Sequence, residues 1–477
     1  MSFTSNKSHS QINFNQLYPQ IIENNTTLKF ESDRTIVIGT CCGSLTLDQS
    51  LSFSKSAPKQ VVLTKSPAHD LLTYIDFMSG VICESCDPSS HFAVVCRSLG
   101  VPIASVSPDT FAQITKYEEQ KVAINTLSSE ILIGDVSIDD ESHKELCRGI
   151  IENSSKSLNF SLTSNADTAA DVAKATEYGF KKFWPRSEIM LYAPEILNTF
   201  RALLIEETPD LVDTFRVNHQ AALKKLLNSA KRNRLVLRLL DPPAHEFLPS
   251  REDSRSIKEI AKLTGLSSDD VLSQLESLEE DNPMIGHRGS RLLLTRPALL
   301  EAQVRAMCDA WLELAEAQRP QYVEIFVPFI VTAAELAFVK KQVIEIIQTK
   351  TKLRLDQFSF GTMVETSGIM DQPEQIAELV DFVSFGTNDL TATHYALSRG
   401  DCYSAYMDKY IEWGLFKYDP FEELTDELVD IIIKFTKRLR EAKPDIEIDT
   451  CGEHSVGYQI WKAIDAGAYS SISIGGG

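Results

Sequence analysis

No apolar stretch of the sequence approaches the ~18 residues that a membrane-spanning helix requires, which argues against a membrane protein. The opening run MSFTSNKSHSQINFNQ also lacks the apolar core of a secretory leader. The expected location is therefore the cytoplasm, where nine cysteines would stay as thiols. Basic charge is scarce as well: 47 Lys and Arg face 67 Asp and Glu, a formal net charge of −20. Nucleic-acid binders draw affinity from phosphate neutralisation by a basic stripe, so that partner class is excluded. A small anion held in a local arginine pocket remains open. Cys83-Glu-Ser-Cys86 is a C-x-x-C with no second pair at ligand spacing, so no zinc site is read from it. A glycine-rich phosphate loop is missing too, and ATP binding of that kind is not expected.

What is present has the length for two or three domains. Residues 1–30 form a polar, Asn/Ser-rich segment. From Thr35 short β-rich runs appear: TIVIG, QVVLT (60–64), SGVICE (79–84) and VPIASV (101–106), with a helical stretch at 90–99. Residues 31–137 read as a compact α/β domain. The polar runs around Asp139-Asp140-Glu141-Ser142 and ENSSKSLN mark 138–157 as a linker. From 158 to the end, strands alternate with helices through LNFSLTS, a helix at 167–179, FKKFW and a helix near 193–206 to YSSISI. That alternation is the pattern of a βα barrel or a doubly wound sheet. Residues 209–232 and 254–279 read as a helical excursion on it.

In a βα barrel, chemistry sits where strands end. Arg186 follows FKKFW, Arg238 ends RLVLR, and His287 with Arg288 lies in NPMIGHRGSRL. Glu365 follows FGTMV, Asn388 and Asp389 follow FVSFGT, and Cys451 with His454 follows EIDT. Arginines suit phosphate and carboxylate. A Glu and an Asp from neighbouring strands suit Mg²⁺, which completes its shell with substrate oxygens and water. A thiol beside them suits proton transfer to carbon. Each residue alone would equally suit a rim salt bridge; together they point to a site.

The strings SNADT (164–168), RLLDPPAHEFLP, NPMIGHRGSRL, GTMVE, SFGTNDLT and CGEH, in this order, resemble pyruvate phosphate dikinase. Phosphoenolpyruvate synthase and enzyme I of the sugar phosphotransferase system share that barrel but differ in the RLLDPPAHEFLP segment. The resemblance implies an α/β fold class: a C-terminal (β/α)₈ TIM barrel over 158–477 that binds phosphoenolpyruvate and pyruvate, and an N-terminal swivelling β/β/α phosphohistidine domain over 31–137. It further implies that Arg186 and Arg238, with Arg288, hold the phosphate, and that Glu365 and Asp389 bind Mg²⁺. Asn388 would position the substrate. Cys451 would protonate the enolate, with Glu453 and His454 orienting it.

The same resemblance places His91, in SGVICESCDPSSHFAVVCRSLGVPIA (79–104), at the phosphohistidine position. Cys86, Asp87, Pro88 and Ser89 stand where the family has Gly-Gly-Met-Thr, so a helix-capping histidine is the alternative. Ser187 and Ile189 replace the family's Thr and His, and Thr366-Ser367-Gly368 replaces Ile-Pro-Arg. The family's ATP-grasp domain and last barrel helix find no counterpart here, which leaves a homodimer open. The expected activity is a phosphotransferase that moves a phosphoryl group between phosphoenolpyruvate and His91 and on to an unknown acceptor. The alternatives are a subunit working with a separate ATP-grasp protein, a non-catalytic binding module, or barrel chemistry on a 2-oxo acid. For the last, Trp184, Met363 and Phe385 would shape the pocket, or simply pack the barrel.

Overall fold

The computed structural model describes residues 21–23, 27–37, 40–47, 59–67, 71, 74–75, 77–86, 92–93, 96, 101–126, 128–138, 140–157, 160–452, 454 and 458–475. The chain divides into two compact units, Met1–Ser154 with Gly475–Gly477, and Ser155–Ile474.

The first unit is built on β1 (Ile21–Glu23), β2 (Leu28–Glu31), β3 (Arg34–Val37), β4 (Thr40–Leu47), β5 (Gln60–Thr64), β6 (Met78–Cys83), β7 (Ile103–Ser105), β8 (Lys121–Asn125), β9 (Glu130–Ile133) and β10 (Val136–Ile138). Eight of them form one mixed sheet in the order β2-β9-β8-β4-β5-β6-β7-β3, while β1 pairs with β10. Strands β4 to β7 run parallel and the outer pairs antiparallel. Successive side chains of a strand point to opposite faces, and both faces are covered here. Val62 and Val81 enter one core with Ile36, Ile103 and Phe92, whereas Val61, Leu63 and Ile82 enter the other with Leu45 and Ile124. Burial on both sides explains why QVVLT and GVIC read as unbroken apolar runs.

The residues expected to be a linker are instead an 18-residue helix, Asp140–Ser157. Cys147, Ile151 and Ser154 are buried at helical spacing along it. The polar residues that suggested a linker are what an amphipathic helix carries between its buried positions.

The second unit is a closed barrel of β11 (Ser161–Asn165), β12 (Lys182–Phe183), β13 (Arg234–Arg238), β14 (Val323–Val327), β15 (Phe358–Val364), β16 (Phe382–Gly386), β17 (Glu447–Cys451) and β18 (Ser471–Gly475). Neighbours pair in parallel and in sequence order. The first and last strands meet through Ser161 N–H to the Ser470 carbonyl at 3.0 Å and the Thr163 hydroxyl to the Ile472 carbonyl at 3.1 Å. The alternation read from sequence is thus a barrel and not an open sheet. The helical excursion consists of Pro209–Ala230, Ser254–Thr264 and Ser268–Ser277. No helix of the described residues is long and apolar enough to cross a membrane.

Toward the N-terminal ends of the strands, the barrel closes on ion pairs. Lys182 Nζ lies 2.7 Å from Asp449 Oδ2 and 2.9 Å from Glu447 Oε1. Arg234 bridges Glu324 and Glu447 at 2.6 and 2.7 Å. Burial, and then the charge of Glu447, pushes the Asp449 carboxyl up to about 7, with Lys182 opposing. Lys182→Met removes the cation that draws the Asp449 carboxyl down, so denaturant unfolding is expected to show a loss of ~3–5 kcal/mol above neutral pH, where the parent's Asp449 is ionised and paired. The loss should shrink as pH falls, because protonating Asp449 removes the uncompensated charge.

Candidate active site at the barrel mouth

Parallel strands bring their C-terminal ends to one face, and the polar residues that follow them meet there. Just past β11, Asp167 is buried and accepts the Arg186 backbone N–H at 2.8 Å and its Nε–H at 3.1 and 3.2 Å. Arg238 closes β13 and pairs with Glu188 and, at 3.1 Å, with Asp241. Arg288 reaches the other oxygen of Asp241 at 2.8 Å and Asp389 at 3.0 Å, and lies 4.4 Å over the Phe329 ring. A chain of alternating charge therefore runs Glu188–Arg238–Asp241–Arg288–Asp389. Burial opposes the charge on Arg238, yet Glu188 and Asp241 hold it protonated far above its usual range. For Asp241, burial works against ionisation, and Arg288 and Arg238 overcome it, so its carboxyl lies below the ordinary range.

Glu365, one residue beyond β15, is fully buried. Its Oε1 accepts the Phe329 N–H at 2.5 Å, while Oε2 has no hydrogen-bond partner. Burial first, then the charges of Asp241 and Asp389, pushes this carboxyl well up. Gly386 ends β16 beside it. A Cβ there would lie 2.4 Å from Glu365 Oε2, so only glycine leaves the carboxylate its place. The helix Thr387–Tyr395 follows at once, carrying Asn388 and Asp389 in its first turn.

Cys451 ends β17 and packs against Trp184, Val236, Phe326, Met363 and Phe382. Its thiol donates to the Phe385 carbonyl at 3.4 Å and receives the Ser384 hydroxyl at 3.7 Å. Burial pushes it up to about 12, against the pull of Ser384 and Arg238. It is therefore a thiol at neutral pH. An alkylating reagent should react with it slowly at pH 7, with a rate that climbs about tenfold per pH unit toward that value; peptide mapping of alkylated Cys451 across pH checks this.

The chain then turns at Gly452, with φ of +123°, where a Cβ would fall 2.3 Å from the Thr387 hydroxyl. His454 is fully buried, its Nε2 2.9 Å from the Pro420 carbonyl and its Nδ1 2.8 Å from Thr387 Oγ1. A carbonyl only accepts, so Nε2 carries a proton. Thr387 Oγ1 also lies 3.1 Å from the Cys451 carbonyl. His454 thus reaches Cys451 through Thr387 and the backbone, not through the thiol.

The barrel gathers Arg186, Arg238, Arg288, Glu365, Asn388, Asp389 and Cys451 at one end. His91 and Glu453 lie outside the described residues. Met363 and Trp184 line the apolar floor under Cys451. Phe385 instead packs outward on Phe435 and Tyr469, and shapes no pocket at the mouth. Sequence reasoning missed Asp167, Glu188, Asp241 and Thr387. Three of them are carboxylates, and a charge argument could have found them, because arginines at a barrel mouth need counter-charges.

Three guanidinium groups (Arg186, Arg238, Arg288) meet five carboxyl groups (Asp167, Glu188, Asp241, Glu365, Asp389), so the positive charge of the mouth is already matched within the protein. An anionic substrate entering such a mouth needs added positive charge. Among the described residues no group of three or more His, Cys, Asp or Glu is placed to hold a metal ion. Glu365 and Asp389 are two carboxylates, however, and Mg²⁺ commonly takes one or two with the rest of its shell from water and substrate. The unpartnered, buried Oε2 of Glu365 fits that use.

Fold and site together define a β/α-barrel protein whose mouth is lined by arginines, carboxylates and one thiol. The chain belongs to the PEP-utilising enzymes: the family described as "PEP-utilising enzyme, PEP-binding domain" matches residues 146–474. Its relatives include pyruvate, phosphate dikinases. The protein of that name from Rickettsia prowazekii (strain Madrid E) is 30% identical over 403 residues, covering 79% of this chain and 45% of its own length. That from Clostridium symbiosum is 27% identical over 433 residues, covering 86% and 49%. The chain spans about half the length of the curated relatives it matches. Among solved structures, a citrate lyase from Burkholderia xenovorans LB400 matches at 11% identity over 62% of this chain and 72% of its own, with a TM-score of 0.31, too slight a likeness to bear on function.

Proposed function

We propose that the barrel binds phosphoenolpyruvate at this mouth, that its phosphoryl group passes to His91 with release of pyruvate, and that His91 hands the group to an acceptor outside the barrel. The observation that carries the proposal is one assembly: part-buried Arg238, buried Glu365 with an unpartnered oxygen, and Cys451 held as a thiol. Arg238 and Arg186, with Arg288 beside them, bind the phosphate, and the unpartnered Nε–H groups of Arg238 and Arg288 are donors still unused. Asn388 orients the substrate from the first turn of its helix. Glu365 and Asp389 would hold Mg²⁺, which when bound would neutralise charge on the phosphoryl and enolate oxygens.

The bond from phosphorus to the bridging oxygen breaks, its electron pair stays on that oxygen, and an imidazole nitrogen of His91 takes the phosphoryl group. The enolate left behind takes the Cys451 proton at its methylene carbon, giving pyruvate. The thiolate then recovers a proton from water. A thiol held near 12 is suited to this step, because it keeps its proton until a strongly basic carbanion stands beside it. A second reading, in which an ATP-grasp protein phosphorylates His91 and the barrel runs toward phosphoenolpyruvate, is supported by the likeness to the dikinases. Rapid quench of the chain with phosphoenolpyruvate and Mg²⁺ tests the proposal. One pyruvate per chain, formed without ATP, is expected; the absence of any pyruvate in that mixture would overturn it.

A further inference from the structure

The C-x-x-C of the sequence lies in the first unit. Strand β6 ends at Cys83, which is fully buried. The chain turns at once, since the N–H groups of Glu84 and Ser85 both donate to the Lys65 carbonyl, each at 3.1 Å. This turn brings Cys86, partly exposed, onto the same apolar cluster as Cys83. The two thiols share a hydrogen bond. That bond pushes the Cys83 thiol far up, ahead of the effect of its burial. Phe92, Ala93 and Cys96 belong to the same cluster. The residues that follow His91 are therefore packed into the core that holds the two sulfurs.

We propose that Cys83 and Cys86 form a dithiol redox site, closed to an intramolecular disulfide by a small-molecule disulfide, and that closure fixes the backbone leading to His91 and stops its phosphorylation. The second half rests on His91 being the phosphoryl carrier. Cys86, the sulfur nearer solvent, attacks as thiolate one sulfur of the oxidant; the oxidant's S–S bond breaks and its other half leaves as a thiol after taking a solvent proton. The Cys83 sulfur then attacks the Cys86 sulfur, and its proton passes to the departing sulfur, which leaves as the second thiol. Two protein thiols are oxidised and one disulfide is reduced to two thiols, a two-electron exchange. Capping Cys86 in the first step removes the hydrogen bond that most restrained Cys83 from giving up its proton. The two residues between the sulfurs, Glu84 and Ser85, are the spacing at which C-x-x-C pairs carry out thiol–disulfide exchange.

The test uses the full chain with oxidised glutathione as probe, followed by peptide mass mapping and amide hydrogen exchange. A peptide carrying Cys83 and Cys86 should lose the mass of two hydrogens, recover it with dithiothreitol, still do so in Cys96→Ser, and fail to do so in Cys86→Ser. Exchange across residues 84–96 should slow on oxidation in the parent and not in Cys86→Ser. Labelling of His91 from phosphoenolpyruvate should be lost on oxidation and restored by reduction. The proposal is overturned if the thiols stay reduced, if the bond forms through Cys96, or if a Cys83–Cys86 bond leaves both exchange and labelling unchanged. Should the reduced protein take no label at all, the reading of His91 fails separately, and the mass and exchange results still decide the dithiol site.

Discussion

Cys451→Ala is expected to lower pyruvate formation from phosphoenolpyruvate by ~10²–10⁴-fold, the usual range for loss of a positioned proton donor. Affinity for phosphoenolpyruvate should change little, because the arginines and carboxylates of the mouth form their ion pairs without the thiol. Label on His91 should persist, since phosphoryl transfer precedes protonation and leaves an enolate that the variant cannot quench quickly. The Cys451 side chain is small and sits at the edge of its apolar cluster, so the folded state should tolerate alanine. Single-turnover kinetics with separate readouts for label and pyruvate distinguish the two steps. Equal loss of both would assign Cys451 to binding or folding instead.

Arg238→Met is expected to have the largest combined effect. Arg238 stands between Glu188 and Asp241, and both are buried. Removing it leaves Glu188 with only the weaker pull of Arg186 and Asp241 with Arg288 alone. Breaking a buried pair by deleting one partner costs ~3–5 kcal/mol, and phosphoenolpyruvate binding should be lost as well. The sign of the pH effect follows from Asp241, whose carboxyl is held below its ordinary range by Arg288 and Arg238 against the cost of burial. That stabilisation is present above the ordinary carboxylate pKa and fades as pH falls through the lowered one. The deficit of Arg238→Met relative to the parent should therefore narrow in acid, as Glu188 and Asp241 take up protons. Denaturant unfolding at several pH values reads this directly. Arg238→Lys should recover part of the stability and little of the binding, because an ammonium cannot serve both carboxylates and a phosphate in the same plane.

The barrel was legible because its strands are buried on all sides. VEIFV and FVSFG carry no exposed residue, and such runs between amphipathic helices declare a βα unit. The helix Asp140–Ser157 was not legible. It buries only Cys147, Ile151 and Ser154 among its described positions, and a serine on that face does not register as apolar. The arginines, Glu365, Asp389 and Cys451 could be picked out because each follows an apolar run that ends at the mouth. Their partners could not. Glu188 and Arg238 are 50 residues apart, and Asp241 and Arg288 are 47 apart. Only closure of the barrel shows that these charges meet. The thiol state of Cys451 is likewise a tertiary fact, set by burial first and by Ser384 and Arg238 in opposition.

Transfer from phosphoenolpyruvate to His91 is most directly tested with phosphate-labelled phosphoenolpyruvate, Mg²⁺ and the pure chain, followed by intact-mass and peptide analysis. Acid-labile, base-stable label on the peptide containing His91, absent from His91→Ala and retained in Cys451→Ala, is the predicted result. Phosphoenolpyruvate that binds the barrel yet leaves no label on His91 would contradict the relay and leave the barrel as a binding module or the seat of a chemistry that does not use that histidine.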